Sequence, residues 1–248
     1  MKKISVVIPT LQKNLELLNN LVKALDKDIS VSEIIIIDNS LKGFDFESEK
    51  LKVITPKENL FVNPSWNLGV KEAKEEYVAL LNDDITIPFN FCFDVVQNID
   101  ENTGIVGFHR DFIENVSKIM PEPEKSKIIL KKANGRCGFF GVSMFFNKAN
   151  YKEIPNDIKI FWGDDWLFDH CKKNKKQNYF ISNQKIYHYG SLSSSDKKLN
   201  SYSKQDSKLY RKYTRKWYNN IFNIEPVFRG FRLTFFKIEI LYHYDKKH

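Results

Sequence analysis

The sequence predicts an α/β fold: a mainly parallel sheet with helices on both faces, followed by a basic, aromatic-rich C-terminal appendage. Three observations point there. Short apolar, β-branched runs alternate with segments of helical period through the first hundred residues. Those runs stop at polar clusters, as strands do where an α/β sheet meets its ligand. The positive charge collects after the last such run. At 248 residues, 42% hydrophobic and 28% charged, the chain is globular and long enough for a substantial core.

Each element has its own signature. KISVVIP (3–9) reads as a buried strand ending in Pro-Thr, and Leu15, Leu18, Val22 and Leu25 then recur at helical spacing. SEIIIIDNS is a second buried strand, closing at Asp38, Asn39 and Ser40, and KVITP (52–56) is a short third. Asn63-Pro64 has the cap-then-proline pattern of a helix start, with the helix running through Trp66 and Val70 to about Glu75. YVALLNDD is the fourth strand. GIVGF (104–108) and CGFFGVSMFF (137–146) read as further strands; Gly135, Gly138 and Gly141 either admit close approach of a ligand or mark bulges. An acidic pair, Asp164-Asp165, precedes a helix, and YFIS and KIYHYGS are short strands around His188. A Ser/Lys-rich stretch after Ser191 suggests a boundary. Beyond it Leu199, Tyr202, Leu209, Tyr213 and Trp217 share one helical face of a basic amphipathic helix. RLTFFKIEILYHY fits neither period.

Composition narrows the function. Cys92, Cys137 and Cys171 show no paired spacing, which suggests neither a disulfide framework nor a zinc site and fits a reducing compartment. The apolar run in MKKISVVIPT is too short for a signal peptide, and no stretch of about 18 apolar residues occurs, so a cytoplasmic protein is expected. Residues 197–248 hold 13 Lys and Arg against 4 Asp and Glu, more than accounting for the net charge of +8. Such a tail either meets a polyanion, an anionic membrane surface or DNA, or is a solvated lysine-rich face. The first strand lacks the glycine turns of a dinucleotide fingerprint or a P-loop. Thr10, Asp38-Asn39 and Asn82-Asp83-Asp84 remain as three polar clusters at strand ends.

Taken in order, SVVIPT, EIIIIDNS, NPSWNLGVKEAKEEYVALLNDD, GDDW and YHYGS resemble a family 2 glycosyltransferase of GT-A fold over roughly residues 3–191. The resemblance implies a glycosyltransferase domain over 1–191, with a nucleotide-sugar-binding half to about residue 100 and an acceptor and catalytic half after it, and an extension over 192–248. It implies a nucleotide-sugar donor, Mn²⁺ or Mg²⁺, and transfer with inversion to an acceptor hydroxyl. The metal-binding motif of the family matches Asn82-Asp83-Asp84, which makes Asp84 the metal ligand, joined by His188; Asn82 stands where the family has a first Asp. Thr10, Asp38 and Asn39 are candidates for the nucleotide, a carboxylate there suiting the imide N–H of uracil or thymine, and Asn82 and Asp83 are further candidates for the nucleotide sugar. Lys71 is placed toward the diphosphate, and Asn63, Trp66 and Asn67 open the same helix, Trp66 being equally a core residue. The family's catalytic pair matches Asp164-Asp165, Asp164 replacing Glu and Asp165 acting as base. The pair is also what a helix N-terminus favours. Trp162 and Trp166 either stack on the acceptor or pack in the core. The acceptor implied is a surface glycan or lipid-linked saccharide at the inner membrane face, the alternatives being hydroxymethylated bases of DNA or a non-catalytic sugar- or nucleotide-binding module.

Overall fold

The β-branched N-terminal run forms β1 (Ile4–Thr10), at the heart of the sheet in this computed structural model, which describes residues 1–190, 197–214, 222–227, 230–235 and 238–243. α1 (Leu15–Asp26) follows, its first turn closed by the Asn14 side chain accepting from Leu17 N–H, and it buries Leu17, Leu18, Leu21, Val22 and Leu25. β2 (Val31–Asp38) pairs in parallel with β1, setting Thr10 beside Asp38. β3 (Leu51–Ile54), α2 (Val62–Glu72) and β4 (Tyr77–Leu81) complete a parallel half in the order β3-β2-β1-β4.

Two short elements follow, β5 (Ile85–Thr86) and α3 (Phe91–Val96), and then β6 (Thr103–Phe108), β7 (Ile113–Asn115), β8 (Ile129–Lys132) and β9 (Ser143–Asn147). α4 (Gly163–Lys173), β10 (Gln177–Ser182), β11 (Ile186–His188) and α5 (Lys197–Thr214) come next. Among the described residues the main sheet has eight strands ordered β3-β2-β1-β4-β9-β6-β10-β8. Only β9 and β8 oppose the others, so the sheet is mainly parallel, as expected. A small sheet, β5-β11-β7, hangs beyond the end of β4 and carries His188. Phe91 anchors the core with Phe108 and Phe145 at ring separations of 5.6 and 5.4 Å. Fully buried Ile and Val from β1 and β2 fill both faces of the strands.

Two local expectations change. Asn63 does not cap α2: the helix starts at Val62 behind Phe61 (φ 68°), and Asn63 N–H donates to Lys159 O at 2.9 Å. Pro64 thus sits inside the first turn, where its missing N–H costs nothing. The run 137–146 is a strand only from Ser143; Phe139 adopts φ 66° and residues 140–142 form a 3₁₀ turn, so its first half is a loop. In α5 the apolar face that carries Leu199, Tyr202 and Tyr213 also carries Asp206 and Tyr210, both buried, while Tyr213 is 44% exposed. Trp217 lies outside the described residues, as does the expected boundary at 191/192.

The chain divides into two compact units, Met1–Ser207 and Lys208–His248. In the second, β12 (Phe222–Val227), β13 (Gly230–Phe235) and β14 (Ile238–His243) form an antiparallel meander, which resolves the run that showed no clear period. Among the described residues no helix is long and apolar enough to cross a membrane.

Candidate active site

The carboxyl ends of β1, β2 and β4 bring the first polar clusters together. Thr10 Oγ1 donates to Asp83 Oδ2 at 2.5 Å and accepts from Gln12 N–H at 2.8 Å. Burial pushes the Asp83 carboxyl up to about 6; the Thr10 hydroxyl opposes this and the adjacent Asp84 adds to it. Asp38 is fully buried and holds the following turn, accepting from Ser40 N–H at 2.9 Å, Ser40 Oγ at 2.6 Å and Gly43 N–H at 2.7 Å. Burial alone would raise its pKa, yet these donors and Gln12 outweigh it and hold the carboxyl below its ordinary range. Asn39 faces away from this cluster: its amide donates to Ser65 Oγ at 2.9 Å and Phe61 O at 3.4 Å, and its carbonyl accepts from Leu60 N–H at 2.8 Å. It pins the chain entering α2.

Asp84 and His188 come together across the small sheet. The pairing of β11 with β5 sets His188 opposite Ile85, and Tyr189 N–H donates to Asp84 O at 2.9 Å. His188 Nε2 then lies 3.4 Å from Asp84 Oδ1, a buried oxygen with no hydrogen bond, while His188 Nδ1 is 3.1 Å from Asn115 Oδ1. An Nδ1–H donated to Asn115 leaves the Nε2 lone pair facing the carboxylate, so the two atoms could serve together as metal ligands. A Cβ at Gly190 would overlap His188 Cε1, so only glycine leaves the ring in place. Among the described residues no third His, Cys, Asp or Glu joins the pair. A cation there would complete its shell from water and ligand oxygens, as hard divalent ions do at phosphate sites.

The second acidic pair occupies the first turn of α4, as its sequence suggests, but its principal partner is a residue the motif reading missed. Arg136 donates from Nη1 to Asp164 Oδ2 at 3.0 Å and from Nε to Asp165 Oδ1 at 2.6 Å, with Nη2 also on Asp165. One guanidinium against two largely buried carboxylates leaves a net negative charge. Burial and the neighbouring Asp164 push Asp165 up to about 7, against the pull of Arg136. A signal for Arg136 was available: it is one of two arginines before residue 191 in a lysine-rich chain, and it lies between glycines.

Residues 136–142 join the two halves. Arg136 grips the acidic pair, Phe139 meets the His188 ring edge-on at 5.9 Å, and a Cβ at Gly141 would stand 3.2 Å from Asp164 Cβ. Val142 O accepts from Asn82 N–H at 3.0 Å. Gly135 and Gly138 have open space around them. Phe139, in a backbone region rare for a bulky residue, is 46% exposed.

The other expected residues have these contacts. The Asn63 amide donates to Ile158 O and Phe161 O, each at 3.1 Å. Trp66 is buried against the start of α4. Asn67 binds Ile154 O at 2.7 Å and accepts from Tyr151 OH at 2.7 Å. Lys71 is exposed and lines a cleft of about 640 Å³ with Lys148 and Lys159, whose lining includes none of the strand-end carboxylates. Trp162, half-buried at φ 68°, precedes α4, and Trp166 Nε1–H donates to Glu153 O at 3.1 Å.

Comparison with known proteins agrees with this arrangement. Two crystal structures of S. aureus TarS superpose with a TM-score of 0.53. Residues 1–349 of TarS are 15% identical over 88% of this chain and 74% of that one; the other TarS structure is 17% identical over 88% and 45%. The mannosyltransferase PcManGT from Pyrobaculum calidifontis, in complex with GDP-Man and Mn²⁺, gives a TM-score of 0.56 at 12% identity over 77% of this chain and 58% of that one. A search of curated protein sequences finds no match. The model of glycosyl transferase family 2 matches residues 5–170, which include all three strand-end clusters and the acidic pair. With a mainly parallel sheet, carboxylates at its strand ends and that match over most of its length, the chain belongs to glycosyl transferase family 2 and has the GT-A fold.

Proposed function

We propose that the protein is an inverting glycosyltransferase that moves a sugar from a uridine or thymidine diphosphate donor to the hydroxyl of a surface glycan or lipid-linked saccharide. The observation that carries this reading is the 136–142 loop, which holds a near-neutral carboxylic acid on one side and borders the Asp84–His188 pair on the other. The donor nucleotide lies at the ends of β1 and β2, where its base offers an imide N–H to Asp38 in the place Gln12 holds. Asp84 and His188 are the residues that would hold Mn²⁺ or Mg²⁺: their facing oxygen and nitrogen suit such an ion, and the structurally similar PcManGT is in complex with Mn²⁺. When bound, the ion supplies Lewis-acid stabilisation to the departing diphosphate.

Asp165 accepts the proton of the acceptor hydroxyl. The acceptor oxygen bonds to the anomeric carbon from the face opposite the diphosphate, and the breaking C–O bond leaves its electron pair on that group. A base poised near 7 is ionised in part at neutral pH yet basic enough to take the proton. Arg136 keeps the two adjacent carboxylates from repelling each other out of position.

A donor-hydrolysis screen across nucleotide sugars with Mn²⁺ identifies the donor and separates an enzyme from a binding module. On that donor, Asp165→Asn should lose turnover by about 100-fold or more with nucleotide binding kept. Asp84→Ala should lose metal-dependent donor binding. Full turnover in the first variant would sink the base assignment, and undiminished metal-dependent affinity in the second would remove Asp84 from the metal.

A further inference from the structure

Asp206 lies on α5, outside the span that matches the family, and it is fully buried. Its Oδ1 accepts from Lys159 N–H at 3.0 Å, and its Oδ2 accepts from Ile160 N–H at 2.8 Å and Phe161 N–H at 2.9 Å. Three successive backbone amides converging on one point form a nest that an anion satisfies best. The carbonyls of the same stretch turn to α2: Ile158 O and Phe161 O take the Asn63 amide, and Lys159 O takes the Asn63 N–H. Segment 158–161 is thereby held from both sides, its N–H groups by α5 and its carbonyls by α2. One residue later comes Trp162 in the left-handed region, and then the turn of α4 that carries Asp164 and Asp165. Tyr202, one turn earlier on α5, packs 5.1 Å from the Phe61 ring at the head of α2, so the helix braces both walls of this segment.

We propose that Asp206 is a positioning residue for the acidic pair: its carboxylate fixes where α4 begins and so where the Asp165 oxygens stand relative to the acceptor hydroxyl. The proposal rests on Asp165 being the base. Its physical content is that a displacement of about 1 Å at a reacting group costs roughly 100-fold in rate, and the three amides have no other anion to hold them. Asp206→Asn removes the charge and points an N–H₂ at one of the amides. Asp206→Glu keeps the charge but pushes the loop outward by about one bond length.

The test uses the full chain and the donor found by the hydrolysis screen, with UDP and dTDP plus Mn²⁺ as binding probes. Both variants are expected to bind the matching nucleotide within about threefold of the parent, because the Asp206 carboxylate takes its hydrogen bonds from 159–161 and not from the strand-end residues. Each should lose roughly 100-fold in kcat, with the rising limb of the pH–rate profile displaced. Parental kcat and pH profile in either folded variant would overturn the proposal. So would a joint fall of kcat and nucleotide binding in proportion to the unfolded fraction, the mark of a merely structural carboxylate. If Asp206→Asn does not fold, Asp206→Glu alone decides. Asp165→Asn run alongside separates the two readings. Retained turnover there removes the base and the proposal that rests on it, whereas an inactive Asp165→Asn beside a parental Asp206→Glu removes the clamp alone.

Discussion

Arg136 sets the working pH of the candidate base. Burial and Asp164 raise the Asp165 carboxyl to about 7, and Arg136 is the group that keeps it from rising further. Because the base works ionised, turnover should climb with pH to a plateau, with a midpoint near 7. Removing the cation in Arg136→Met raises the carboxyl, so that midpoint should move up by about one pH unit or more, and activity at pH 7 should fall while activity at high pH recovers. A pH–rate series on both proteins checks this; an unmoved midpoint would show that the guanidinium has no electrostatic hold on Asp165. At this scale the sequence was informative about acids and poor about their partners. Asp84, His188 and the acidic pair stand out by motif and spacing. Arg136, Asn115 and Asp206 do not, because their roles follow from distant chain segments folding against them.

Gly163 shows how two helices share a boundary. It is the first residue of α4, and a Cβ there would overlap Asn63 Oδ1 and lie 2.9 Å from the Trp66 ring. Gly163→Ala should therefore push α4 off α2, costing about 1–3 kcal/mol of stability and most of the turnover, whereas Gly138→Ala, with open space around it, should leave both unchanged. Denaturant melts and donor hydrolysis on the pair provide the comparison. The strands β1, β2 and β4 were legible because burial on both faces writes a continuous apolar run. The loop 136–142 was not: its phenylalanines mimic a strand, but Phe140 fills the core while Phe139 turns to the site, a division set by tertiary contacts and not by period.

The appended charge is a property of the whole molecule. Lys204, Lys208 and Lys212 recur every fourth residue along α5, all three exposed, while Asp206 and Tyr210 are buried. We infer that this stripe meets an anionic membrane surface. At about 1 kcal/mol per lysine, reversing all three to Glu in the full chain should weaken binding to anionic phospholipid vesicles by roughly 100-fold or more, with little effect on zwitterionic vesicles. Salt-sensitive binding to duplex DNA without vesicle binding would shift the reading to a DNA acceptor. The fold class, the uneven charge and the apolar face of α5 were readable from composition and order, but the buried carboxylate within that face is one that no amphipathic pattern announces. That carboxylate also sets an order in time. As the chain is synthesised, Asn63 exists before segment 158–161 appears, but Phe161 waits 45 residues for Asp206. Met1–Ser207 is one compact unit, so the loop before the acidic pair has only its α2 partners until α5 is made. That loop therefore reaches its final place only after the helix beyond the matched family span has been synthesised.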